Sequence, residues 1–143
     1  MSFMFRSVPR IVCEADGIAR TGTLMKELGA TRVAVVCDPG IVTLGFADQV
    51  QKSLEAAGIA VQIFSDIKAD PPQNIVQQAI DGAKEWQADG VVGIGGGSSL
   101  DSAKLVALLA NSDQTIEGIY GIDKATGDRL PLIQIPTTAG TGS

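Results

Sequence analysis

Short apolar runs alternate with segments of helical periodicity along this chain, and that alternation limits the possible folds more than any other feature. The runs are rich in β-branched residues, as buried strands are, and they lie at residues 32–37, 59–64, 91–94 and 132–135. Amphipathic or apolar helical patterns follow the first three runs, at residues 46–57, 76–86 and 99–110. Strands that alternate with helices in this way pair in parallel.

We therefore predict an α/β fold with a Rossmann-like parallel sheet and helices on both faces. Residues 1–143 form one domain in this interpretation. A further helix is predicted over residues 18–28, where Gly29 ends it, and residues 10–13 are predicted to form a short edge strand.

The net charge and the cysteine and histidine content limit the kinds of molecule that this chain is expected to bind. The net charge is -5 and the sequence pI is about 4.5, which argues against binding to nucleic acid or to an anionic membrane surface. Cys13 and Cys37 lack metal-ligand spacing and disulfide patterning, so we expect a reduced, cytoplasmic protein. Histidine is absent, which excludes Ser-His-Asp and Cys-His catalysis within these residues. A small-molecule partner is the remaining expectation.

The predicted helix at residues 99–110 ends in a segment, 105–110, that is apolar around its whole circumference. Two interpretations stay open. The helix is enclosed by other elements of its own domain, or it forms the contact surface for a second domain.

A glycine-rich loop joins the third predicted strand to this helix and consists of Gly95, Gly96, Gly97 and Ser98. Main-chain amides and the positive end of a helix dipole bind phosphate at such a junction, and the lack of β-carbons permits close approach. The loop therefore predicts a diphosphate site. Its structural alternative is a capping box, in which Ser98 caps the helix and Asp101 completes the motif.

Two other loops end strands that meet the same edge of a parallel sheet. Asp38 follows the first strand and is suited to bind a ribose, although Asp38-Pro39-Gly40 also has the composition of a simple turn. The last strand is followed by hydroxyl side chains at Thr137, Thr138 and Thr141, which offer donors and acceptors to sugar hydroxyls or an amide.

The stretches GGGSSLD at residues 95–101 and PTTAGTGS at residues 136–143 resemble the corresponding motifs of the iron-containing alcohol dehydrogenases. Asp38-Pro39-Gly40 and Asp70-Pro71-Pro72 fall at matching positions. The resemblance covers the whole chain but only the amino-terminal half of that family. It implies a dinucleotide-binding domain followed by a helical domain, absent from these residues, whose aspartate and histidines bind Fe²⁺ or Zn²⁺.

By the same resemblance, Gly96, Gly97 and Ser98 are expected to bind the diphosphate of NAD, and Asp38 the adenosine ribose. Gly95 is expected to belong to the same coenzyme-binding loop. Asp101, Thr137, Thr138 and Thr141 then face the nicotinamide side. A carboxylate at position 38 repels a 2′-phosphate, so NAD is expected over NADP. An intrahelical ion pair with Asp101 is expected for Lys104.

The expected function is hydride transfer between NAD and a small alcohol or aldehyde by a homo-oligomeric enzyme, and these residues alone are expected to be inactive. Alternatives are a reductase or synthase of the same fold, such as maleylacetate reductase, glycerol dehydrogenase or dehydroquinate synthase. A free-standing nucleotide-binding module is a further alternative.

Overall fold

The computed structural model describes residue 3, residues 7–121 and residues 124–139. Its four strands are all parallel and lie in the order β2-β1-β3-β4. They span β1 (Arg32–Val36), β2 (Ala60–Phe64), β3 (Gly90–Gly95) and β4 (Leu132–Pro136). Each strand coincides with one of the predicted β-branched runs, to within one or two residues at each end.

Helices connect the strands on both sides of the sheet. They are α1 (Thr21–Glu27), α2 (Pro39–Thr43), α3 (Phe46–Ala56), α4 (Gln73–Glu85) and α5 (Gly97–Leu109), with 3₁₀ turns at Gly17–Arg20 and Glu117–Ile119. The predicted helix at residues 18–28 is therefore divided into a 3₁₀ turn and α1. The short helix α2 was not predicted.

The prediction of an edge strand at residues 10–13 is wrong. These residues are exposed and form no strand, and Ile11 is 77% exposed. The segment is joined to the domain through an ion pair between Arg10 and Glu27, whose charged atoms lie 2.8 Å apart. A β-branched sequence forms a strand only where it finds a partner strand and an apolar surface, and this segment has neither among the described residues.

Two hydrophobic cores lie on the two faces of the sheet, because successive side chains of a strand point in opposite directions. Ala34 and Val36 of β1 belong to the core beneath α4 and α5. Val33 and Val35 belong to the other core, where α1 and α3 pack. Helices on both faces confirm the predicted Rossmann-like architecture.

Helix α5 is enclosed by elements of its own domain. Val106 and Ala107 are fully buried in the core shared with α4, and Leu105 and Leu108 are half-buried against it. The chain after α5 also returns to the helix, since the Leu130 amide donates to the Ala107 carbonyl at 2.8 Å. The apolar circumference of residues 105–110 is thus explained without a second domain, as the first interpretation predicts.

The approach of α5 to the sheet depends on Gly93 in β3. A β-carbon at this position would lie 2.6 Å from the Ala103 β-carbon, closer than two carbon atoms can pack. The absent side chain lets α5 lie directly on β3, and this fixes the position of the loop between them.

Candidate functional site

The carboxyl ends of three strands meet at one edge of the sheet. Val36 of β1 pairs with Gly93 of β3, and Gly95 pairs with Pro136 of β4. The loops that follow β1, β3 and β4 therefore begin next to one another, as the sequence predicts. The predicted site residues in the described part of the chain lie at the ends of these strands, in the loops that follow them, or in the first turns of α5.

Gly95 adopts a backbone conformation that side chains disfavour. Its φ angle is 139°, and a β-carbon there would lie 2.9 Å from the Ser99 hydroxyl and 3.1 Å from Asp38 Oδ2. Only glycine fits without a shift of these neighbours. The carboxylate of Asp38 consequently lies directly beside the glycine-rich loop.

Asp38 also has a structural role. It is the N-cap of α2, where its Oδ1 accepts a hydrogen bond from the Ile41 amide at 3.1 Å, and Pro39 occupies the first helical position. The predicted turn is thus the start of a short helix. No hydrogen bond to Oδ2 occurs within residues 7–121 or 124–139, so this oxygen can accept from a ligand.

The capping box, which was the structural alternative to a diphosphate site, does not form at the start of α5. The N-cap is Gly96, which has no side chain, and Ser98 lies inside the first helical turn. The first bond of the helix runs from the Leu100 amide to the Gly96 carbonyl at 3.1 Å. Among the residues that the structure describes, no acceptor meets the amides of Gly97, Ser98 or Ser99. Such uncapped amides, together with the helix dipole, favour an anion.

Asp101 lies on an exposed part of α5, one turn beyond the glycine-rich loop. Its Oδ1 accepts from Lys104 Nζ at 3.1 Å, which confirms the predicted intrahelical ion pair. Lys104 is therefore bound to Asp101 and is no candidate for a catalytic lysine.

The hydroxyl-rich run after β4 is described as far as residue 139. The Thr137 amide donates to the Gly95 carbonyl at 3.0 Å, so the β3–β4 ladder continues to the glycine-rich loop. Thr138 Oγ1 lies 3.7 Å from the position that a β-carbon on Gly96 would occupy. Both threonines are exposed. The predicted site residue Thr141 lies outside the described residues.

Two neighbouring clefts flank the start of α5 and share Gly97 and Ser98. The first has a volume of about 400 Å³ and is lined by Asp38, Pro39, Ile67, Lys68, Ala69, Gly96, Gly97, Ser98 and Ser99. The second has a volume of about 460 Å³ and is lined by Asp70, Pro71, Gln73, Val76, Gly97, Ser98, Asp101, Ser102, Leu105, Ile116 and Tyr120. Together they form a groove across the glycine-rich loop.

Two residues that line this groove, Lys68 and Tyr120, were not predicted from the sequence. Lys68 lies in the loop after β2, and Tyr120 lies after the 3₁₀ turn that follows α5. Because Lys68 follows a strand of the same parallel sheet, the rule that predicted Asp38 also predicts a residue at this place. No local pattern indicates Tyr120, since its position depends on how the chain folds back over α5.

The thiol beneath the groove is chemically inert. Cys37 is fully buried, and burial, together with the adjacent charge of Asp38, raises the pKa of its thiol to about 12. The side chain stays protonated at neutral pH, so it is not a nucleophile or a metal ligand.

Within the described ranges, no three side chains among histidine, cysteine, aspartate and glutamate are grouped so that they could bind a metal ion. The donor set present here therefore does not fit iron or zinc. Among the helices of the described residues, none is long and apolar enough to cross a membrane.

The model of the family "Iron-containing alcohol dehydrogenase" matches residues 9–143. The chain is 40% identical over 125 residues to long-chain-alcohol dehydrogenase 1 of Geobacillus thermodenitrificans, which covers 83% of the chain and 31% of the relative. It is 34% identical over 135 residues to the NAD-dependent methanol dehydrogenase of Bacillus methanolicus. This match covers 94% of the chain and 35% of the relative.

Among solved structures, the NADH-dependent butanol dehydrogenase A of Thermotoga maritima superposes with a TM-score of 0.83 at 32% identity. The match covers 95% of this chain and 34% of that one. The chain thus spans about a third of the length of these relatives. The match extends through both glycine-rich motifs, and on this ground the chain belongs to the iron-containing alcohol dehydrogenase family.

Proposed function

We propose that this chain is the NAD-binding domain of a metal-dependent alcohol dehydrogenase. The observation that supports it most directly is the uncapped first turn of α5. This turn follows Gly95 in the chain and lies at the sheet edge where three polar loops meet. A β-carbon at Gly95 would crowd the loop, so its absence keeps the main chain open to a bound anion.

The assignment of residues follows the order of the loops along the sheet edge. Gly95, Gly96, Gly97 and Ser98 bind the diphosphate, and Asp38 accepts hydrogen bonds from the adenosine ribose. Asp101, Thr137, Thr138 and Thr141 face the nicotinamide side. When bound, NAD accepts or donates the hydride. The residues of this chain bind and orient the coenzyme, which itself carries the hydride.

The substrate and the metal belong to the whole enzyme in this proposal. A small alcohol or its aldehyde reacts, and Fe²⁺ or Zn²⁺ is bound by a helical domain outside the 143 residues. The proposal includes a cytoplasmic homo-oligomer and no nucleic-acid or membrane partner. The relatives reported above are alcohol dehydrogenases that act on butanol, methanol or long-chain alcohols, which favours this reaction over the alternatives of the same fold.

Calorimetric titration tests the coenzyme site. We expect one molecule of NAD to bind per chain, with ADP as a competitor because it contains the same diphosphate. Incubation with NAD, Fe²⁺ and a primary alcohol is expected to give no NADH absorbance, because no metal-ligand set occurs within the described residues. A chain that shows no binding of NAD or ADP contradicts the proposal.

A further inference from the structure

Lys68 lies in the same cleft as Asp38 and the glycine-rich loop. The residue before it, Ile67, is 1% exposed, and its amide donates to the Cys37 carbonyl at 3.3 Å. This bond connects the loop after β2 to the end of β1. The backbone of Lys68 is therefore held beside the cleft, while its side chain is exposed.

The charges that line the groove do not balance for a diphosphate. Asp38, Asp70 and Asp101 contribute carboxylates, of which Asp101 is paired with Lys104, and the chain as a whole has a net charge of -5. Across the described residues that line the two clefts, Lys68 is the one cationic side chain. Main-chain amides carry only partial charges, so a guest with two negative charges meets a field that is otherwise unfavourable.

The ammonium group of Lys68 is available to such a guest. Two other lysines of the described chain form ion pairs, Lys52 with Asp48 at 2.7 Å and Lys104 with Asp101 at 3.1 Å. Lys68 forms no ion pair with any residue that the structure describes. Its charge is thus not neutralised by the protein itself.

We propose that Lys68 is a coenzyme-binding residue whose ammonium group binds the diphosphate bridge, together with the main-chain amides at the start of α5. This inference rests on the proposed function and adds the side-chain charge that the site otherwise lacks. A lysine binds phosphate as a point charge on a flexible stem, so its contribution depends on ionic strength.

The test compares Lys68→Met with Lys68→Arg and with the control Lys26→Met. Lys26 lies in the last turn of α1, which leads into the amino end of β1, so the control removes the same charge at the opposite edge of the sheet. Binding of NAD, NADP, ADP and adenosine is measured by calorimetry at about 50 mM and about 500 mM NaCl.

We expect Lys68→Met to weaken the binding of NAD and of ADP about fivefold at low salt, because one exposed charge contributes about this much to the binding of a phosphate. The affinity for adenosine is expected to stay unchanged. Lys68→Arg and Lys26→Met retain the affinity of the unmodified chain, and the loss in Lys68→Met shrinks at high salt. Unchanged NAD and ADP affinity in Lys68→Met overturns the inference. A loss confined to NADP also overturns it, because Lys68 then binds the 2′-phosphate. If the unmodified chain binds neither NAD nor ADP, the proposed function itself fails.

Discussion

The carboxylate of Asp38 lies beside Gly95, with Oδ2 3.1 Å from the position that a β-carbon on Gly95 would occupy. The contact joins the loop after β1 to the loop after β3, and parallel pairing of the two strands makes it possible. One carboxylate oxygen caps α2 and the other faces the glycine-rich loop. A single side chain thus caps α2 and lines the cleft beside the glycine-rich loop.

Substitution of Asp38 is expected to narrow the preference for NAD over NADP. Asp38→Asn removes the charge that repels a 2′-phosphate but keeps an oxygen that caps the Ile41 amide. Asp38→Gly removes both the charge and the cap. The loss of the cap is expected to lower the free energy of unfolding by a further few tenths of a kcal/mol at about 25 °C. Dissociation constants for the two coenzymes provide the measurement. Equal affinities in the unmodified chain contradict the assigned role of Asp38.

Gly95→Ala is expected to abolish detectable NAD binding and to destabilise the fold by about 2 kcal/mol, because alanine is strained at a φ of 139° and its β-carbon contacts Ser99 and Asp38. Gly29→Ala is the matched control, since Gly29 also has a positive φ but no atom lies within 4 Å of an added β-carbon. Calorimetry and urea denaturation measure the two effects. Wild-type NAD affinity in Gly95→Ala contradicts the proposed diphosphate site at the glycine-rich loop.

Asp89 connects the start of β1 to the loop before β3. Its carboxylate accepts from the Thr31 hydroxyl at 2.6 Å and from the amides of Thr31 and Arg32 at 2.8 and 2.7 Å. Burial raises the pKa of Asp89, but these hydrogen bonds outweigh burial and hold the pKa below its usual value. The ionised carboxylate is therefore favoured in the folded state.

The stability that Asp89 contributes is present above the usual aspartate pKa of about 4 and is lost as pH falls through the lower folded pKa. We expect Asp89→Asn to destabilise the chain by about 2 kcal/mol near pH 7 and by less near pH 2.5. Urea denaturation at both pH values measures the difference. Asp113→Asn, at an exposed position, serves as the control. A destabilisation independent of pH refutes this explanation.

Gly22 of α1 allows a close contact between α1 and α3. A β-carbon there would lie 2.0 Å from the Ser53 carbonyl oxygen in α3, and the Gly22 amide donates to the Ser53 hydroxyl at 2.9 Å. Gly22→Ala is expected to cost about 3 kcal/mol, because the two helices must move apart. Gly17→Ala, where the nearest atom is 3.7 Å away, is the control. Equal unfolding midpoints for both variants contradict the prediction.

The two cysteines differ in accessibility. Cys13 is exposed, whereas Cys37 is buried and the pKa of its thiol is raised to about 12. We expect a thiol reagent at pH 8 to modify one cysteine in the folded chain and both in denaturant. Mass spectrometry counts the modified residues, and Cys13→Ser identifies the reactive one. Rapid modification of Cys37 under native conditions contradicts this arrangement.

The order of strands and helices could be predicted from the sequence because apolar periodicity is local and the sheet is buried on both faces. The loops at Asp38 and Gly95 could be predicted for a related reason. The carboxyl ends of parallel strands always share one edge, so polar residues that follow them are brought together whatever the details of packing.

The start of α5 was decided by tertiary structure. Ser98 has the composition of a cap, but α5 begins at Gly97, one residue before Ser98, with Gly96 as the N-cap, and the helix packs closely against Gly93. The strand-end rule brings Lys68 to the same edge of the sheet, but its backbone is held beside the cleft by a bond between Ile67 and Cys37, which no local pattern indicates.

Residues 10–13 and 105–110 illustrate the same division. Both segments contain an apolar run, yet the first is exposed and the second is enclosed by α4 and by the chain that returns through Leu130. Periodicity along the chain thus determined which segments form strands and helices. Which surfaces each segment meets was determined only when residues distant in sequence packed together, because burial is a property of the neighbours and not of the segment alone.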